Sequence, residues 1–131
     1  MDLLQIENII TTQLRVRVPK LLNNQFPNMT FTNEMNDKVA VFPNVYVHEL
    51  EPSELANDLE NKSIHAIRST IQIIVSANTT KTDARVVSNA CVTAFKHLRY
   101  TVTMLPVYQQ NNNIHRFIFR VRRTIASGDT F

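Results

Sequence analysis

The stretch Arg116-Phe117-Ile118-Phe119-Arg120-Val121-Arg122-Arg123 reads as a β-strand with two chemically different faces. Successive side chains of a strand point to opposite sides. Phe117, Phe119 and Val121 therefore share one face, and Arg116, Ile118, Arg120 and Arg122 the other. Upstream, His65 to Val75 follows the same rule, with Ile67, Ile71, Ile73 and Val75 pointing one way and Ala66, Arg68, Thr70 and Gln72 the other. Alternation this clean marks a sheet covered on one side only.

Outward from these strands, Tyr100 to Tyr108 reads as a strand joined to Ile114–Ile125 by a polar, Gly-free hairpin loop, Gln109 to Asn113. Val39 to Leu50 is β-rich, but Pro43 cannot donate to a ladder, so the strand starts after it or lies at a sheet edge. Met29 to Thr32 reads as a short strand and Asn33 to Lys38 as a polar loop. Two helices complete the chain. Leu3, Ile6, Ile10, Leu14, Val18 and Leu21 step by three or four behind an Asp2 N-cap, with Pro19 expected to kink the helix or end it early. Thr80, with Asp83 three residues on, resembles a capping box that opens a helix to about Leu98. Its buried stripe is Ala84, Val87, Cys91, Ala94, Phe95 and Leu98. Pro52-Ser53 opens a short acidic helix, Glu54 to Leu59, or an ordered loop. Together these predict one domain over residues 1–131, of α+β class: a mostly antiparallel sheet with two long helices packed on one face.

Charge is sorted along the chain. Residues 1–61 carry nine acids against four bases, and residues 62–131 carry ten bases against Asp83 and Asp129. Glu49, Glu51, Glu54, Asp58 and Glu60 form an acidic cluster, and Arg116, Arg120, Arg122 and Arg123 a basic one. A subunit with one acidic and one basic surface can pair head to tail with its copies, and a rotation that closes makes a ring. These nine residues are the expected subunit-interface candidates. Exposed ion pairs contribute about 0–1 kcal/mol each, so they set register while apolar contact supplies most of the affinity.

Several function classes lose support. A single Gly leaves no material for a phosphate-cradling loop or a G-x-S-x-G nucleophile elbow. The lone Cys91 excludes an internal disulfide and a cysteine zinc site, and its place on a buried stripe denies it the base and exposure a nucleophile needs. His48, His65, His97 and His115 lack i, i+4 ligand spacing. No catalytic residues, metal or cofactor are expected. No apolar run reaches the roughly 18 residues of a membrane span, and the start lacks a basic leader, so an intracellular, reducing setting is expected. A nucleic-acid module remains an alternative, although the aromatic residues of the closing strand point away from its arginines.

Several stretches together resemble the tail terminator (tail completion) proteins of tailed phages. They are Phe42-Pro43-Asn44-Val45-Tyr46-Val47-His48-Glu49-Leu50, Asp58-Leu59-Glu60-Asn61, Ile71-Gln72-Ile73 with Val75, and the end of the chain from Arg116 to Gly128-Asp129. The resemblance spans residues 3–129. It implies an α+β subunit of a hexameric ring on the head-proximal end of the tail tube. Such a ring ends tube polymerisation, meets the neck or connector, and lets DNA pass through its channel without sequence-specific binding. It further implies residence in the virion tail, with assembly in the host cytoplasm. On this resemblance Phe42 and Pro43 form the strand entry, Arg116, Arg120 and Arg123 the basic closing strand, and Gly128 and Asp129 the tail that follows. A neck adaptor is the alternative within the same setting.

Overall fold

The computed structural model describes residues 6–33, 41–50, 53–57 and 64–126. The elements run α1 (Ile6–Leu21), β1 (Thr30–Thr32), β2 (Asn44–Glu49), β3 (Ser53–Asn57), β4 (Ile64–Ala77), α2 (Lys81–His97), β5 (Thr101–Asn111) and β6 (Ile114–Ala126). The strands form one six-stranded sheet in the order β1-β2-β4-β6-β5, with β3 continuing the β2 side of β4. Among the described strands, only β1 and β2 run parallel. Both helices pack on one face, over β2, β4 and β6, so the fold is the α+β sandwich that the alternation of β4 and β6 implies.

The core is the odd-numbered side of the central strands. Ile71, Ile73, Val75, Phe119, Val121 and Ile125 are fully buried there against Ile6, Ile10, Leu14 and Val18 of α1 and Val87, Cys91, Ala94 and Phe95 of α2. Phe95 is the hub, set edge-on to both Phe119 and Tyr100. Burying each such side chain contributes roughly 1.5–3 kcal/mol.

Local chemistry explains the boundaries. Thr80 caps α2 as its spacing implies: its hydroxyl accepts from the Asp83 amide at 3.1 Å. At the other end the Tyr100 amide donates to the Phe95 carbonyl and the Arg99 amide to the Lys96 carbonyl, which is a Schellman closure. The residue after the C-cap must then be left-handed, and Arg99, at φ 67°, occupies it. Glycine is the usual choice there, since the conformation costs an L-residue roughly 1–2 kcal/mol.

Helix α1 ends two residues after Pro19, and Asn23 and Asn24 beyond it turn left-handed. Three local expectations are corrected, the first in α1 itself. Its buried series steps by four throughout, so Leu22 rather than Leu21 closes the stripe and Leu21 is exposed. The acidic segment at Ser53–Asn57 is a strand, not a helix or loop, because the long β4 offers its free edge for pairing from Ile64 to Arg68. The five-residue loop between β5 and β6 is a two-residue turn. The ladder runs on to Asn111 opposite Ile114, and Asn112 supplies the positive φ that a tight hairpin needs. Leu3, Asp2 and Asn33–Lys38, apart from Asn33 itself, lie outside the described residues.

Candidate functional site

No described element covers the even-numbered face of the sheet. Cross-strand register places its residues in rows. Tyr46 of β2 pairs with Ile74 of β4, Ile74 with Ile118 of β6, and Ile118 with Val107 of β5. Directly paired residues project to the same side, so these four form an apolar row across the sheet. Tyr46, Ile74 and Ile118 are half-buried, and Val107 is 48% exposed.

Arginines flank this row. On one side His48, Gln72 and Arg120 stand in register, with Arg120 Nε donating to Gln72 Oε1 at 3.0 Å. On the other side Arg116 lies between Ser76 and Gln109. Farther along, Arg122 lies between Thr70 and Thr101, and Arg68 faces Thr124. Arg68, Arg120 and Arg122 are exposed and Arg116 is half-buried. Among residues with described side chains, no carboxylate shares this face: Glu7 is on α1, Asp83 begins α2, and Glu49 follows Val45 and Val47 onto the helix side. The result is a greasy strip bordered by unbalanced positive charge.

The structure separates the sequence candidates. Arg116, Arg120 and Arg122 share the uncovered face as the alternation of their strand implies. Arg123 does not. It points to the helix side, is 7% exposed, and donates from Nη1 to the Leu98 carbonyl at 3.0 Å. It therefore serves the fold at the end of α2 and does not extend the exposed basic strip.

Glu49 is likewise withdrawn from the acidic surface. It is half-buried, and the Glu7 carboxylate accepts from its backbone amide at 2.9 Å. Burial, and secondarily the nearby Glu7 charge, push the Glu49 carboxyl up from 4.5 to about 7. Glu54 lies in β3 opposite Ile67. Glu51, Asp58 and Glu60 lie outside the described residues.

The remaining titratable groups have local roles. Cys91 is fully buried, which pushes its thiol up to about 12. This is the chemistry of a packing residue, as its helical stripe implies. The Tyr100 hydroxyl, buried beside Ser69 Oγ at 3.1 Å, is also pushed up to about 12, mainly by desolvation. His115 Nδ1 lies 2.7 Å from the Tyr108 hydroxyl, and His48 stacks on Tyr46. No group of three His, Cys, Asp or Glu side chains converges among the described residues. No helix among them is long and apolar enough to cross a membrane.

Sequence reasoning missed the apolar row and the position of Arg99 beside Arg122. Both depend on register between distant strands and on how the chain leaves α2. The only sequence signal was Ile118 itself, an isoleucine stranded among arginines. No family model matches this chain, and no curated protein matches it.

Proposed function

We propose that this chain is a structural subunit that associates head to tail into a ring of the tail-terminator kind. The ring, a hexamer on that reading, caps the head-proximal end of a phage tail tube and ends tube polymerisation. It meets the neck or connector on its other side and leaves a channel for DNA. The observation that carries the reading is the uncovered sheet face, with its row Tyr46–Ile74–Ile118–Val107 between arginines and no described carboxylate. An apolar strip with an uncompensated basic border suits a partner surface that is apolar at its centre and acidic at its rim. The chain carries such acids itself, at Glu51, Asp58 and Glu60, while Glu54 pairs with the core residue Ile67. The tail-terminator assignment rests further on the resemblance at Phe42–Leu50 and Arg116–Asp129, and on an α+β fold of the kind that resemblance implies.

In this reading the arginines select the register and the apolar row holds the contact. Glu49 takes no part, since it faces Glu7 within its own chain.

The test is electron microscopy of the purified protein in negative stain, alone and mixed with tail tube subunits, with light scattering at low and high salt. Rings with a central hole are expected. Reversing Asp58 and Glu60 to arginine should disperse them, and reversing Arg116 and Arg120 to glutamate in the same chain should restore them. Absence of rings both alone and with tube subunits would reject the proposal. Assembly on isolated connectors but never on tubes would instead indicate a neck adaptor.

A further inference from the structure

At one corner of the molecule the end of α2, the start of β5 and the last residues of β6 line a depression of about 400 Å³. Its lining is Arg99, Thr101, Arg122, Arg123 and Thr124. Three arginines and two threonines line it, and no carboxylate lines it among the described residues. Register brings Thr101 opposite Arg122, and Arg68 opposite Thr124 on the next strand, so a fourth arginine stands at the rim.

Two features distinguish this corner from an ordinary basic surface. Arg123 in its lining is 7% exposed and anchored on the Leu98 carbonyl, a charged side chain held inside the fold. By occupying a carbonyl at the C-terminal end of α2 it also offsets the negative helix end, which would otherwise repel an anion. Arg99 sits in the left-handed position that closes α2, where glycine would be the relaxed choice. A residue kept in a disfavoured backbone region, with its charged side chain exposed beside Arg122, suggests that the side chain serves a purpose.

We infer that this corner binds a phosphate-class oxyanion, with Arg99 and Arg122 as forked donors, Thr101 and Thr124 as hydroxyl donors, and Arg123 held in the wall behind them. Planar guanidinium forks match the oxygen pairs of a phosphoryl group, and charge-assisted contacts of this kind are the strong ones. Free inorganic phosphate and a nucleic-acid backbone present the same phosphoryl oxygens, so the site fits either source. The site shares Arg122 with the basic border of the apolar row but does not depend on ring formation.

The test follows amide resonances and melting temperature of the full chain during titration with inorganic phosphate, against chloride at matched ionic strength. Saturable shifts confined to Arg99–Thr101 and Arg122–Thr124 are expected, with phosphate raising the melting temperature more than chloride does. Arg99→Gly is the decisive variant. It should melt higher than the parent without phosphate, because it relaxes the helix end, yet bind phosphate about tenfold more weakly. Arg122→Gln should weaken binding by a similar factor with an unchanged melting temperature. Displacement of phosphate by a short DNA duplex identifies the source as a nucleic-acid backbone, and failure of displacement identifies free phosphate; either sustains the site. Responses equal to those of chloride, or full phosphate affinity in Arg99→Gly, would overturn it. So would binding at this corner of a peptide spanning residues 49–60 in preference to phosphate, which would return the corner to subunit contact.

Discussion

On the helix side of β6, Phe119 and Val121 are fully buried, while on the other side their neighbours Arg120 and Arg122 are exposed. The same holds along β4, where Ile71 and Ile73 are buried and Gln72 accepts a hydrogen bond from Arg120. One backbone thus serves two surfaces. The covered face is organised by volume, through aromatic edges and branched side chains that fill the space beneath two helices. The uncovered face is organised by register, because its residues acquire meaning only when four strands align them. Arg123 shows where the rule bends: by position it belongs to the covered face, and it is tolerated there because the Leu98 carbonyl receives its charge-bearing donor.

The contrast can be broken most strongly at its covered side. Phe119→Ala removes a ring packed on Phe95 and should cost about 3–5 kcal/mol in denaturant unfolding. Ile118→Asp, one residue along, should leave the fold intact yet abolish self-association in light scattering. If the two substitutions destabilise the monomer equally, the uncovered face is not free and the distinction fails.

A smaller effect separates the adjacent arginines. Arg123→Met should destabilise by about 1–3 kcal/mol, since it strips a buried carbonyl of its donor, whereas Arg122→Met should lie within about 0.5 kcal/mol of the parent. Equal values would show that Arg123 is as dispensable as a surface residue.

The mildest test concerns Glu49, the one carboxylate drawn onto the covered side of β2. Its folded pKa, about 7, lies above the ordinary 4.5, so the folded state binds the proton more tightly than the unfolded one. The stabilisation is complete below about pH 4.5 and is lost as pH rises through 7. Glu49→Gln should flatten this decline between those values and be the more stable protein at pH 8, as read from denaturant midpoints. A decline that survives the substitution would assign the effect to another group.

Much of the architecture was legible in the chain. The alternation of β4 and β6, the stripe of α2 and the Thr80 cap are local patterns, and each appears where its spacing implies. The acidic segment at Ser53–Asn57 misled because its composition suits a helix start, whereas its conformation follows from the free edge of β4. The long hairpin loop misled for a related reason: pairing with β6 carries polar residues as far as Asn111 into the ladder. The candidate site was half visible. Arg116, Arg120 and Arg122 follow from period-two geometry, but Arg99 joins Arg122 only because a Schellman closure turns the chain back onto β5.

Taken alone, the residues determined which strands have a wet and a dry side, where the helices begin, and how charge divides between the two halves of the chain. These properties depend on neighbours a few positions away, which the backbone period brings together unaided. Tertiary structure alone decided that Tyr46, Ile74, Ile118 and Val107 form one row, that Glu49 meets Glu7, and that Arg123 is enclosed. Each of these joins residues far apart in sequence, and pairing across the sheet and packing of the helices selected their contacts from many that the local pattern equally permits.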